Sequence, residues 1–194
     1  MKRVQKNDEE LLALYMAGNV ACMDMLINRY KSKVFTAIYL VVNDRYIAED
    51  IFQETFLRVI HTIGKGKYEE SGKFLPWVIR IARNLSMDYF RSTKRMPTIS
   101  SSEDNDIFAN MRFDESNSEE MAISLQKKKG LRELIKMLPV EQKEVLILRH
   151  YGDLSFKEIA DVCNCSINTA LGRMRYALIN LKKMIEERAA YLQS

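Results

Sequence analysis

Glycine and proline are scarce in this chain, seven and three among 194 residues. So few turn formers exclude an architecture of many short strands joined by tight turns. Leu, Ile, Met, Ala, Lys, Arg and Glu dominate, most of them good helix formers, and together they predict an all-α fold. The three cysteines, Cys22, Cys163 and Cys165, are odd in number and do not make a disulfide framework. They read as free thiols in a reducing cytoplasm. No apolar run is long enough to span a bilayer; the longest, near Val34–Val42, is short and interrupted. Met1–Glu10 is polar and lacks the apolar stretch of a signal peptide. There are two histidines, His61 and His150, far apart in sequence, and no nucleophile motif or dinucleotide fingerprint. Gly64-Lys65-Gly66-Lys67 is too short for a phosphate-cradling loop. The expectation is a non-enzyme with no catalytic residue, no metal and no cofactor. Cys163-x-Cys165 is a weak zinc signature without a nearby histidine, and the free-thiol reading outweighs it.

What is present falls into three parts. Residues 8–95 are helical and rich in aromatics, and residues 130–190 are helical again. Between them, residues 96–129 carry Ser100, Ser101 and Ser102, then Glu103, Asp104, Asp106, Asp114, Glu115, Glu119 and Glu120, with Arg112 the one base as far as Gln126. That composition predicts an acidic, flexible linker between two small helical domains.

In the first part, Leu11, Leu12 and Tyr15 begin an amphipathic helix that Gly18-Asn19 ends. A second helix runs from about Val20 through Tyr39, up to a turn at Asn43-Asp44. A third, from about Ala48 to Thr62, has its apolar face at Ala48, Ile51, Phe52, Thr55, Phe56, Val59 and Ile60. A fourth starts near Phe74–Pro76, with proline in the first turn, and runs to about Ser92. In the last part, Leu131, Leu134, Ile135 and Leu138 form an apolar stripe, and Pro139 restarts the chain as the first residue of a helix over Val140–His150. Gly152 suits the C-terminal end of that helix. Ser155 with Glu158 forms a capping box for a short helix, Asn164 tolerates a positive φ in the turn that follows, and Ser166 caps a last helix to about Ala190.

A short capped helix, a three-residue turn and a second capped helix over Leu154–Lys183 have the helix-turn-helix layout. From Ser166 to Lys183 there are Arg173, Arg175, Lys182 and Lys183, and no acid. In such a motif the first turns of the second helix enter the major groove. Ser166, Asn168, Thr169, Leu171, Gly172, Arg173, Arg175 and Tyr176 lie there. Arginine and asparagine can read base edges, and a capped helix start can hold phosphate. Ile167, Ala170, Met174, Ala177, Leu178 and Leu181 are expected in the core. The competing reading is two packed helices of a bundle with no DNA role, against which the acid-free face weighs.

Two further patterns stand out. From Lys73 to Arg95 the bases Lys73, Arg80, Arg83, Arg91, Lys94 and Arg95 face one acid, Asp88. Arg80, Arg83, Asn84, Met87 and Arg91 form a stripe beside Trp77. Bases mixed with aromatics suit single-stranded DNA, where phosphates take the charge and unstacked bases take the rings. Core packing is at least an equal reading for Trp77, and an intrahelical pair with Arg91 is the alternative for Asp88. Asp50, Gln53, Glu54 and Leu57 share one helical stripe; periodicity by itself makes them a solvated charged face.

These residues also carry a resemblance. Ala48-Glu49-Asp50-Ile51-Phe52-Gln53-Glu54-Thr55-Phe56 and Phe74-Leu75-Pro76-Trp77-Val78-Ile79-Arg80-Ile81-Ala82-Arg83-Asn84 resemble region 2 of sigma-70-type initiation factors. Leu138-Pro139, Val145–Arg149, Ser155–Ala160, Ser166–Thr169 and Gly172–Ala177 resemble region 4. The two in this order, with only a linker between, are similar to the extracytoplasmic-function (ECF) group. The resemblance implies a bacterial factor that binds core RNA polymerase and directs it to promoters. It implies that Asp50, Gln53, Glu54 and Leu57 meet the polymerase clamp. It places Tyr68, Ser71, Lys73, Trp77, Arg80, Arg83, Asn84, Met87, Asp88 and Arg91 at a melted, single-stranded −10 element, the loop from Tyr68 to Lys73 cupping a flipped base. It places the helix after Ser166 at a duplex −35 element, where Leu171, Gly172 and Tyr176 depart from the basic residue, serine and arginine common in the family. The partners implied are core polymerase, promoter DNA and an anti-sigma factor. The expected location is the cytoplasm, without membrane insertion, or the membrane surface when an anti-sigma partner holds the protein there. A helix-turn-helix regulator acting without polymerase is the alternative.

Overall fold

A computed structural model describes residues 6–69, 72–95 and 130–191. Among them are eight helices and no strand. They are α1 (Asp8–Met16), α2 (Ala21–Val42), α3 (Arg45–Gly64), α4 (Phe74–Arg95), α5 (residues 130–137), α6 (Val140–His150), α7 (Phe156–Cys163) and α8 (Ile167–Tyr191). The all-α expectation holds. The acidic segment 96–129 lies outside the described residues, as does Ser71.

Local chemistry sets most boundaries. Asn7 accepts from the Glu10 N–H at 2.7 Å while the Glu10 carboxylate accepts from the Asn7 N–H at 3.0 Å, so α1 opens with a capping box. The box sets the helix start at Asp8, ahead of the Leu11 that apolar spacing predicts. Asn43 closes α2 at φ 57°, and Asp44 caps α3 through the Ile47 N–H at 3.0 Å. Ser155 and Glu158 form the predicted box on α7, Asn164 ends it at φ 52°, and Ser166 accepts from the Thr169 N–H at 3.0 Å. Two expectations need correction. Pro139 is the residue before α6, with extended ψ, rather than its first turn. Gly152 is not the left-handed residue after α6; Asp153 is, at φ 56°. Gly152 is glycine for space, because a Cβ there would stand 2.6 Å from the Leu148 carbonyl oxygen and 3.4 Å from Ile79 Cδ1.

Helices α1–α4 pack around Leu11, Leu12, Leu26, Val34, Ile38, Phe56, Val59, Phe74 and Val78, all buried. Asp8 draws α1 onto α2 by bonding both Arg29 and the Tyr30 hydroxyl. Burial and that carboxylate push the Tyr30 hydroxyl up to about 12. Helices α5, α6 and α8 share a smaller core of Leu134, Ile135, Leu138, Leu146, Ala177 and Leu181.

The two units touch directly. α6 lies against α2 and α7 against α4. Ile147 packs with Ala37 and Leu40, while Ile79 and Ala82 of α4 surround a small gap together with Leu148. This docking was absent from the sequence reading, which joined the units only through the linker.

Candidate nucleic-acid interface

The two basic stretches end up in different surroundings. On α8, Asn168, Thr169, Leu171, Arg175 and Tyr176 are exposed, and Gly172 and Arg173 are half-buried. Ser166 is exposed and its hydroxyl meets Thr169 Oγ1 at 2.8 Å. Neither Arg173 nor Arg175 has an ion-pair partner among the described residues. Ala170, Ala177 and Leu181 are core, as expected, and Met174 packs against it. Ile167 and Leu178 are exposed, against expectation, so the apolar period on α8 is wider than its buried face. The first turns of α8 are thus open to solvent and cationic.

On α4 the predicted stripe is divided. Arg80, Asn84 and Arg91 are exposed and Met87 is half-buried. Arg83 turns toward the other unit. Its Nε bonds the Glu144 carboxylate of α6, and its Nη2 lies 3.4 Å from the second oxygen. Burial works against the Arg83 charge, but the Glu144 hydrogen bond and charge outweigh it and raise the guanidinium above its ordinary value. Below this pair sits Cys163, whose thiol is pushed up to about 12 by burial first and by Glu144 next, an inert thiol rather than a reactive one. Among the described residues no group of His, Cys, Asp or Glu could hold a metal ion. Asp88 lies 3.7 Å from Arg91, the intrahelical pair weighed from the sequence.

Trp77 is half-buried, its ring 4.3 Å from that of Tyr68 and 6.1 Å from that of Phe74. Tyr68 and Trp77 therefore form a ring pair at one end of α4, beside exposed Lys73 and Arg80. These four line an open cleft whose far wall is Glu158 and Asp161 of α7.

The third surface is on α3, which packs on α2 and α4. Asp50, Gln53 and Leu57 are exposed, Leu57 by 63%. Glu54 is half-buried and its carboxylate accepts from Arg58 Nε at 2.7 Å. The stripe exists as drawn from the sequence, with one of its two acids held within the helix. No described helix is long and apolar enough to cross a membrane.

Two helical units, one ending in a helix-turn-helix and the other bearing a basic, ring-edged helix, define an all-α class with a DNA-binding motif. Comparison with known proteins narrows the class. Residues 26–96 match the family Sigma-70 region 2, and residues 128–176 match Sigma-70, region 4. The chain is 30% identical over 144 residues to the ECF RNA polymerase sigma factor SigM of Bacillus subtilis, covering 74% of this chain and 83% of the relative. It is 25% identical over 193 residues to SigW of the same organism, covering 96% of this chain and 95% of the relative. Its fold is like that of CnrH solved in complex with the cytosolic domain of CnrY, with a TM-score of 0.64, 20% identity and coverage of 93% and 97% of the two chains. The sigma factor RpoE of Bartonella quintana, solved with the anti-sigma factor NepR, gives a TM-score of 0.63 at 20% identity, over 84% of this chain and 96% of that one. The chain belongs to the ECF group of the sigma-70 superfamily and is a transcription initiation factor that directs RNA polymerase to promoters.

Proposed function

We propose that residues 8–95 grip core polymerase and a melted −10 element, and that residues 130–190 grip the −35 duplex, with 96–129 as the connection. The observation that carries this reading is the α4 face, where exposed Arg80 shares one cleft with the Tyr68–Trp77 ring pair. Cations beside paired aromatic rings suit a strand whose bases have left the duplex. Unstacking costs about a few kcal/mol per base, and a ring platform repays it. Lys73, Met87 and Arg91 extend the face, with Asp88 at its margin, and Ser71, outside the described residues, belongs to the same reading. On α8, Asn168, Arg173 and Arg175 reach base edges, while Ser166, Thr169 and the helix start hold phosphate. Leu171, Gly172 and Tyr176 set which sequence is read. Asp50, Gln53, Glu54 and Leu57 meet a basic, partly apolar helix of the polymerase. The working location is the bacterial cytoplasm. An anti-sigma factor fits the reading, since both solved neighbours are recorded with a partner protein, the second a named anti-sigma factor.

Runoff transcription with purified core polymerase on a library of promoter fragments tests the reading. Specific transcripts that depend on this protein are expected; none from any template would refute it. Within that assay Glu54→Lys should weaken binding to core polymerase by about tenfold or more, as reversing an interface charge commonly does. Unaltered affinity would remove α3 from the docking surface.

A further inference from the structure

A second opening lies on the first unit, between α3 and α4. It is lined by Arg58, His61 and Thr62 of α3 and by Ile81 and Asn84 of α4. Its volume is about 220 Å³, below the roughly 300–1,000 Å³ of pockets that enclose a drug-sized ligand. It therefore suits one small polar group rather than a whole molecule. The lining is that of an anion site. Arg58, His61 and Asn84 are exposed, and no acid of the described residues lines the opening. Arg58 Nε donates to the Glu54 carboxylate at 2.7 Å, an i,i+4 pair that fixes the direction of the guanidinium. The remaining N–H donors of the arginine sit on its two terminal nitrogens, which have no bonded partner among the described residues. His61 and the Asn84 amide have none there either. Thr62 donates its hydroxyl to the Arg58 carbonyl at 2.7 Å and has no hydrogen left for an anion. Asn84 also ties this opening to the ring-lined cleft. It follows Arg80 by four residues and so shares its stripe on α4, about 6 Å farther along the helix. A strand whose bases meet the Tyr68–Trp77 rings and whose backbone meets Arg80 has its neighbouring phosphates at the lip between α4 and α3.

We propose that Arg58 and His61 of α3, with Asn84 of α4, hold one backbone phosphate of the single strand that lies on α4. The inference rests on the −10 reading of α4. It makes α3 a DNA-contacting helix as well as a docking one. Glu54 then has two duties, since its carboxylate belongs to the docking stripe and also aims Arg58 at the strand.

The full chain is bound to saturating core polymerase, and a fluorescein-labelled single-stranded thymidylate 20-mer is titrated by anisotropy over a series of sodium chloride concentrations. Core polymerase without the factor gives the baseline. The variants are Arg58→Gln, Arg58→Lys and Arg80→Ala; arginine, lysine and glutamine are alike in helix propensity, so α3 stays folded at position 58. Losing one phosphate contact to a single strand flattens the slope of log affinity against log salt by roughly 0.7. Arg58→Gln and Arg80→Ala should each flatten it by about that much, and the double variant by about twice as much, because the two contacts are separate. Arg58→Lys, which keeps the charge, should keep most of the slope. An unchanged slope in Arg58→Gln beside a flattened one in Arg80→Ala overturns the site and leaves the −10 reading standing. Unchanged slopes in both remove that reading and the site with it. A loss in Arg58→Lys equal to that in Arg58→Gln also overturns the site, since packing rather than charge would then be at work. Sodium phosphate that displaces the strand from the wild type beyond sodium chloride of equal ionic strength, but not from Arg58→Gln, overturns the strand as its source of phosphate in favour of the free ion.

Discussion

Helices α4 and α8 carry the same ingredients, a basic stretch with few acids and a neighbouring ring, yet the fold treats them differently. The first turns of α8 face solvent with Arg173 and Arg175 unpaired among the described residues. On α4, Arg83 is bound to a carboxylate sixty-one residues away, and Arg80 looks across a cleft at Asp161. Two cationic helices of similar composition can therefore differ in availability. What separates them is the position of acids on α6 and α7, which the composition of α4 and α8 does not contain.

That contrast can be broken hardest at Gly152. A methyl group at this position would collide with the Leu148 carbonyl oxygen and press on Ile79, which belongs to α4. Gly152→Ala should cost about 1–3 kcal/mol, the range for overpacking, seen as a lower midpoint in urea unfolding followed by circular dichroism. An unchanged midpoint would mean that the loop yields freely and that the fit against α4 is loose. Next comes a paired measurement. Arg173→Ala should weaken binding to a promoter duplex about tenfold, within the range of a lost bidentate base contact. Arg80→Ala, on the partly covered helix, should weaken single-strand binding by only about threefold and flatten its salt dependence by roughly 0.7 in log–log slope. Equal losses at the two positions would erase the difference in availability. The smallest effect belongs to Lys33 and Asp153. The hydrogen bond and charge of Lys33 hold the Asp153 carboxyl below its ordinary value of 3.8. The pair's small contribution to stability is therefore present above pH 3.8 and lost as pH falls below it. The difference in melting temperature between the wild type and Lys33→Gln should be slight at neutral pH and vanish in acid. A difference that persisted at pH 2 would assign it to packing of the lysine stem instead.

The helices were legible because their signals are local. Ser155 with Glu158, Ser166, Asn164 and Asn43-Asp44 each mark a boundary within three or four residues, and the structure places caps and left-handed corners there. Asn7 with Glu10 carries the same signal at the start of α1. The docked surface was not legible, because amphipathic spacing says that a residue is buried but not against what. Val78 and Ile79, adjacent and both buried, were the available hint: a helix with consecutive buried positions needs partners on two sides. Arg83 looked like its neighbours Arg80 and Arg91 because its partner, Glu144, lies in the other unit. Gly152 was assigned to backbone freedom, the commoner reason for glycine, when crowding was the cause.

Helix α4 turns different sides to several neighbours at once: Val78 to the first core, Ile79 and Arg83 to the C-terminal unit, Trp77 to the cleft, Arg80 and Asn84 to solvent. Each residue advances an α-helix by about 100°. One residue inserted between Ile79 and Arg83 would carry every later side chain to the next sector, sending Arg83 out and its neighbours in. Side-chain identity can drift on such a helix, but its reading frame cannot. Insertions and deletions should be tolerated in this family's inter-unit connection and purged from the span Ile79–Arg83.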